Sequence, residues 1–386
     1  MKIGEITKKI FIDAKNNDFA GQDPFDGLNS RIFDYLPSLR KGILGLFWIQ
    51  FHKRMPINFR RLCLIPKGRN PKGIGLFILG MIEEYKITGN REYLEEAKQL
   101  GDWLLSQQSD NKIWQYSCWG YHFDWNARAF FVPKGKPNVI TTIYVAQALL
   151  ELSEVTGDLR YKKPALDAAN FIVNSLYTKH EGRKFFAYIP GENVFVHNAS
   201  LWGAAWVAKV ASLTDNIHYK NLALQVARQS VKEQKDDGSW VYGTRHHHQF
   251  IDGFHTGYNL EALDVISRSL KTNEFDEAIE KGLRYYKSNL FEANGTAKYY
   301  SDNLYPLDMH SVSQAILTLL KVGKTKDDLL LTEKIIETSI KQMYLPKENR
   351  FIYQSGRYFS NKVNYMRWTQ AWVYYSFSFY EKNKAS

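Results

Sequence analysis

"TTIYVAQALLELSEVTGD", residues 141–158, decides how the rest of the chain is read. It is apolar or small on most sides, then ends in a polar turn, and five other stretches repeat that design. They are "GIGLFILGMIEEYKITGN" (73–90), "NASLWGAAWVAKVASLTDN" (198–216), "HTGYNLEALDVISRSLKTN" (255–273), "DMHSVSQAILTLLKVGK" (308–324) and "NYMRWTQAWVYYSFSFYEKN" (364–383). Aligned on Gly80, Ala148, Ala205, Ala262, Ala315 and Ala371, successive copies lie 68, 57, 57, 53 and 56 residues apart. Self-similarity at such a period marks a chain built by repeating one supersecondary unit. A helical hairpin with a loop has that length.

The second helix of each unit is legible too, in "REYLEEAKQLGDWLLSQQ", "RYKKPALDAANFIVNSLY", "HYKNLALQVARQSVKEQK", "EFDEAIEKGLRYYKSNLF" and "LTEKIIETSIKQMYL". These carry apolar residues at helical spacing with a charged opposite face, as outer helices should. The six aligned stretches lack a polar face, as expected of helices buried inside a ring. A short aromatic segment follows each outer helix, such as Trp240 with Tyr242 and Phe351 with Tyr353, and a polar loop then leads into the next inner helix.

Over residues 73–383 the pattern resembles the six-hairpin α/α toroid, an inner barrel of helices surrounded by an outer ring. The resemblance implies an all-α (α/α)6 fold, a single domain overall. Residues 1–72 form a basic helical segment that supplies the outer helix closing the ring, and residues 73–386 form the toroid itself. "QKDDGSW" (234–240) also matches the Gln-x-x-x-Gly-x-Trp repeat of the terpene cyclase and prenyltransferase branch, a structural brace that transfers no chemistry. More loosely, the chain is similar to uncharacterised proteins of bacterial surface-polysaccharide clusters. That likeness implies a cytoplasmic, membrane-proximal enzyme acting on a lipid-linked glycan or its precursor.

Composition narrows the classes. With 386 residues and 44% hydrophobic content the chain can bury a large core. Cys63 and Cys118 are its only cysteines, too few for a disulfide scaffold or a four-cysteine zinc site, which suits a reducing compartment. The N-terminal sequence is broken by charges and does not read as a secretory signal, so a cytoplasmic location is expected. No apolar run reaches the ~18 residues of a membrane span; the best is "GILGLFWIQF" at 42–51. The net charge of +11 is uneven, with nine Lys/Arg and no Asp or Glu between Tyr35 and Met81. Cations mixed with Leu, Phe and Trp over residues 35–72 suit an anionic membrane surface or an acidic polymer, although a solvated basic face has the same composition. No recognition motif accompanies the charge, so nucleic acid is not an expected partner.

If the inner helices are parallel, their N-termini and the loops feeding them share one mouth. Seven residues before the aligned centres stand Gly73, Thr141, Asn198, His255, Asp308 and Asn364, where helix caps are expected. The loops "WGYHFDWNAR" (119–128), "FVHNAS" (195–200), "RHHHQFIDGFHTGY" (245–258), "SDNLYPLDMH" (301–310) and "NYMRW" (364–368) collect His, Tyr, Asp, Arg and Trp. Aromatic faces at Trp119, Trp125, Trp202 and Trp368 suit sugar rings, and Asp124, Asn198 and Arg128 suit hydroxyls and carboxylates.

Two mechanisms compete on that reading. In the first, Tyr258 or His255 moves the proton beside a uronate carboxylate, giving epimerisation or elimination. Arg245, His248 and Arg367 then clamp the carboxylate, with Tyr305 and His310 in the same set. In the second, paired aspartates, Asp252 and Asp308, hydrolyse a glycosidic bond. Ordinary explanations exist for several of these residues: Asp252 before Gly253 makes an Asx turn, Asp308 makes an N-cap, and Trp119, Trp202 and Trp368 fit a core. Arg367 resists such an explanation, because an unpaired charge in an apolar helix is costly. Consecutive histidines 246–248 point in different directions, so His248, Asp252 and His255 are the best candidates for a metal, and neither a metal nor a cofactor is expected. A terpenoid cyclase or prenyltransferase would need an acidic Asp-x-Asp-Asp cluster or a Cys/His/Asp zinc site, which the chain lacks. A non-catalytic glycan-binding module would need the aromatics without the concentration of His, Asp, Tyr and Arg.

Overall fold

The computed structural model describes residues 2–126 and 131–385. The chain opens with α1 (Ile3–Asn16), the single turn α2 (Ile32–Tyr35) and α3 (Gly42–Arg54). A first hairpin pairs α4 (Pro71–Thr88) with α5 (Arg91–Ser106), and one further turn, α6 (Asn111–Trp114), follows it. Next come α7 (Val139–Thr156) with α8 (Leu159–Phe171), and α9 (His197–Thr214) with α10 (Ile217–Lys232). Then α11 (Gly253–Leu270) pairs with α12 (Asp276–Asn289), α13 (Met309–Thr318) pairs with α14 (Lys326–Met343), and α15 (Ala371–Ala385) ends the chain.

Helices α4, α7, α9, α11, α13 and α15 each touch the next, and α15 returns to α4, so they close a barrel. Outside it pack α5, α8, α10, α12 and α14. The sixth outer position belongs to α1, which lies on α15 and buries Ile6, Ile10 and Phe11 there. The all-α (α/α)6 arrangement read from the repeat is therefore present. Helix α7 has the length and mean hydropathy of a membrane span, yet it is an inner barrel helix and mostly buried.

Sequence chemistry explains the hairpin turns. Gly89 and Gly157 adopt left-handed φ values of 67° and 73° that end the inner helices, and Asn90 and Asp158 then accept backbone N–H bonds that start the outer ones. The "QKDDGSW" brace behaves as expected: Gln234 donates to the Gly238 and Ala278 carbonyls, and the Trp240 indole donates to the Ser230 carbonyl. Gly238 has φ +91°, and a Cβ there would sit 2.3 Å from the Lys281 carbonyl oxygen.

Cap positions are corrected for most units. Asn70, Asn138 and Asp252 cap α4, α7 and α11 three residues earlier than Gly73, Thr141 and His255, while Asp308 caps α13 where expected. Val196 and Tyr365 give no side-chain cap to α9 or to the π-helical turn Met366–Gln370 that leads into α15. Starting one turn earlier places Asn198 and His255 inside the first helical turn, free to face the mouth. Since α1 completes the ring through a buried face, Phe11→Ala is expected to cost about 3 kcal/mol in urea denaturation. Substitution of the exposed Ile12 by Ala should leave the midpoint within about 0.5 kcal/mol of the parent.

Candidate active site

The N-terminal ends of the inner helices surround a cavity of about 570 Å³, roofed on one side by α3. Its floor is aromatic. Tyr144 of α7, Tyr258 of α11 and Trp372 of α15 meet with ring centroids 5.4–6.3 Å apart, and Trp202 of α9 joins them. These large side chains plug the barrel, so a ligand entering at the mouth stops at this layer.

Lys72, in the first turn of α4, sits over three of those rings, 4.6 Å from Tyr144, 5.1 Å from Trp372 and 5.5 Å from Tyr258. Its Nζ donates to the Tyr258 hydroxyl at 3.2 Å, and that hydroxyl lies 2.7 Å from His310 Nε2. Burial, aided by the charge of Arg367, holds the Lys72 ammonium well below its usual range. Burial also holds Tyr258 well above its usual range and His310 well below its own. The phenol therefore keeps its proton and shares a hydrogen bond with a neutral imidazole. Lys72, Tyr258 and His310 form a hydrogen-bonded chain along which a proton can move. His310 stacks on Phe254 and Trp372, both at 4.5 Å, which fixes its plane.

His255 is held differently. One oxygen of Asp252 caps the helix by accepting the His255 backbone N–H at 2.8 Å, and the other accepts from Nδ1 at 2.7 Å. The N-cap thereby orients the ring and leaves Nε2 for the cavity wall, to which His255 contributes. Asp252 itself is buried behind it. Asp308 is likewise turned away: it accepts from the His310 N–H and Gln354 at 2.7 Å each and from the Trp368 indole at 3.3 Å. Burial pushes its carboxyl up to about 6 against those hydrogen bonds. Neither aspartate lines the cavity, and among the described residues no Asp or Glu does.

Arg367 receives its explanation here. Its Nε and one terminal nitrogen grip the two oxygens of Asp23 at 2.6 and 2.7 Å, inside a shell of Tyr121, Phe123 and Trp368. The guanidinium edge expected to clamp a substrate carboxylate is spent on this internal partner. Of the other expected residues, His248, Asn198 and Trp368 line the cavity together with Arg367, Tyr258, His255 and His310. The Asn198 side-chain oxygen is buried there with no protein partner. Burial lowers His248 to about 4.

Several residues fall elsewhere. Trp119 is a core residue whose indole donates to the Leu104 carbonyl. Asp124 accepts from the Lys134 backbone and lies 3.6 Å from Arg40, so it pins its own loop. Arg245 stands outside the lining, 3.4 Å from Glu192, and Tyr305 is exposed outside it. Arg128 lies outside the described residues. Trp202 packs against Tyr144 and Tyr258 in the aromatic layer beneath the cavity, and Trp125 lies in the wall. Among the described residues, no group of three or more His, Cys, Asp or Glu side chains is placed to hold a metal ion. Asp252 is occupied by His255 rather than shared with His248.

Sequence reasoning missed Asp23, Lys72 and Lys53. Asp23 carries no local signal. Lys72 had one, since a cation opening an otherwise apolar helix raises the same question as Arg367. Lys53 of α3 lies 4.6 Å over the Phe25 ring, and burial lowers it to about 8.

Comparisons with solved structures reach the same architecture at low sequence identity. A cellobiose 2-epimerase from Bacillus thermoamylovorans superposes with TM-score 0.62 at 12% identity, covering 81% of this chain and 88% of that one. An unsaturated glucuronyl hydrolase specific for heparin gives 0.62 at 14%, covering 83% and 88%. A GH76 α-mannanase from Bacteroides thetaiotaomicron gives 0.64 at 11%, covering 82% and 87%. The chain is an (α/α)6 toroid. No protein-family model matches this toroid's sequence, and no curated protein sequence does.

Two stability measurements test the site's electrostatics. Asp23→Asn strands the Arg367 charge in the toroid's mouth and is expected to cost about 3–5 kcal/mol, whereas Asp23→Asn with Arg367→Gln should cost less than Asp23→Asn alone. His197 opens α9 fully buried, and burial lowers its imidazole from 6.5 to about 4. Folding therefore favours the neutral ring, so its contribution is complete above pH 6.5 and is lost as pH falls toward 4. Thermal midpoints measured across that range should fall with acidification, and less steeply in His197→Gln.

Proposed function

We propose that this chain is a carbohydrate-active enzyme that removes the proton beside the carboxylate of a uronate unit in an acidic glycan, giving C5 epimerisation or elimination. The observation that carries this reading is the make-up of the cavity wall. His247, His248, His255, His310, the Tyr258 phenol and the cations Lys53, Arg54, Lys72 and Arg367 line it, with no carboxylate among the described lining residues. Of these, Lys53 and Arg54 attract an anion, since Asp23 neutralises Arg367 and burial holds Lys72 toward its neutral form, and aromatic rings such as Trp125 and Trp368 beside them suit a pyranose face. The fold neighbours named above include both a sugar epimerase and a hydrolase of an unsaturated glucuronyl unit, which supports a glycan substrate.

The chemistry follows from the hydrogen bonds. His255 Nε2, its ring fixed by Asp252, accepts the C5 proton. The electron pair moves into the substrate carboxylate, whose growing charge is met by Lys53 and Arg54. Tyr258 on the Lys72–His310 chain then supplies a proton to the opposite face, giving the epimer. If the C4 substituent departs instead with the electron pair, an unsaturated uronate results. Hydrolysis is the second reading: burial raises Asp308 to about 6, so it keeps its proton to higher pH than an ordinary carboxyl. Its oxygens are engaged by Gln354, Trp368 and a backbone N–H, which argues against that role.

The test is incubation of the protein with uronate-containing oligosaccharides in deuterated water, followed by mass spectrometry and ultraviolet absorbance. Deuterium at C5, with or without an unsaturated product, is expected. Shortened saturated products without deuterium would replace this reading with hydrolysis. His255→Asn and Tyr258→Phe should each lower the exchange rate at least about 100-fold. Exchange at the parent rate in both variants would remove the assigned roles.

A further inference from the structure

Helix α3 has three faces with three different environments. Gly45, Ile49 and His52 are buried, Ile49 against Leu28 and Phe33. Leu46, Gln50 and Lys53 turn to the cavity. The remaining face carries Ile43 and Phe47, 82% and 66% exposed, with Leu44 beside them. At 100° per residue these positions fall on separate arcs of the helix, so the apolar outer face is a property of the sequence and not of one stray side chain. Monomeric proteins rarely leave such a patch without use.

The surroundings of the patch state what it fits. Exposed Lys41 and Arg54 stand at the two ends of α3 and exposed Arg61 follows in the loop after it, within a stretch between Tyr35 and Met81 that holds nine Lys/Arg and no Asp or Glu. A second element with exposed aromatic side chains is tied to the C-terminal end of the same helix. Asn361 donates to the Lys53 and Met55 carbonyls at 3.2 Å each, which fastens a β-hairpin to the end of α3. The tip of that hairpin offers Tyr358 at 86% exposure and Phe359, next to Arg357. Asp34 pairs with Arg40 before α3. The other cations leave the apolar and aromatic side chains in a mainly cationic frame, which matches the interface of an anionic bilayer, where rings enter the headgroup layer and cations meet lipid phosphates. An acidic protein would answer the charge but not the isolated, fully exposed aliphatic and aromatic tips.

We propose that the outer face of α3 and the tip of the 354–361 hairpin dock on an anionic membrane surface, which sets the cavity mouth against the lipid headgroups. Because α3 is also the cavity's roof, docking would bring a glycan carried on a membrane lipid to the same opening. The inference concerns where the mouth faces, and its test reads lipid binding rather than turnover, so it stands or falls apart from the reaction proposed above.

The full-length protein is sedimented with phosphatidylcholine vesicles, with and without phosphatidylglycerol. Expected are binding to the anionic vesicles at low salt, weakening as salt rises, and little binding to the neutral ones. Phe47→Asp should weaken binding at least about tenfold, and Lys41→Glu and Arg61→Glu about fivefold each, with thermal midpoints at the parent value because all three side chains are exposed. In the unmodified protein, anionic vesicles should slow amide hydrogen exchange in α3 and leave α12 unchanged. No sedimentation at low salt, binding indifferent to these substitutions, or no slowing in α3 overturns the proposal. Concentration-dependent dimerisation abolished by Phe47→Asp would overturn it too, by assigning the face to a second copy of the chain.

Discussion

A guanidinium enclosed by Tyr121, Phe123 and Trp368 is tolerable only with a carboxylate in its fork, and Asp23 supplies it. The two residues are 344 positions apart, so this one pair fastens the start of the chain to the last inner helix. Other bonds build on it. The Gln22 carbonyl accepts from Met366, and Arg60 donates to the Asp23 carbonyl, to Asp26 and to the carbonyl of His52 in α3. The ion pair thus anchors a collar that holds the roof over the cavity. On the outer side of the same junction, α1 completes the ring by packing on α15.

Lys53 and Arg54 of the roof make the mouth cationic while the capping of the inner helices removes its acids. Asp252 and Asp308 each satisfy a helix start and then orient a neighbour, His255 in one case and Trp368 in the other. A carboxylate so committed is a poor acid or base toward a ligand, but it makes its partner a better one. Six inner helices also direct their N-terminal ends toward this mouth, and their dipoles add positive potential to that of Lys53 and Arg54. Polarity at the site therefore follows from the barrel's parallel arrangement as much as from the side chains chosen.

Legibility in the sequence tracked the range of each interaction. The repeat, the hairpins and the brace at Gln234 and Trp240 rest on contacts within one unit or between adjacent units, and periodicity exposes them. Cap positions were read one turn late in several units, because Thr141 and His255 are as polar as the true caps Asn138 and Asp252 three residues before them. Trp119 and Trp368 look alike as letters, yet one is packed behind the wall and the other in it. Asp23 sits in a short polar stretch like many others, and nothing local marks its partnership with Arg367.

The sequence by itself determined the architecture, since a period of about 57 residues with alternating all-apolar and amphipathic helices has few ways to bury its surface. It also determined that His255, Tyr258, His310 and Arg367 share one mouth, because each opens or precedes an inner helix and those helices run parallel. Only the tertiary structure decided which side chains face the cavity and which are consumed in holding it. That choice rests on hydrogen bonds and ion pairs between units far apart in the chain, Asp23 with Arg367 and Lys72 with Tyr258, whose partners are selected by closure of the ring and leave no periodic trace.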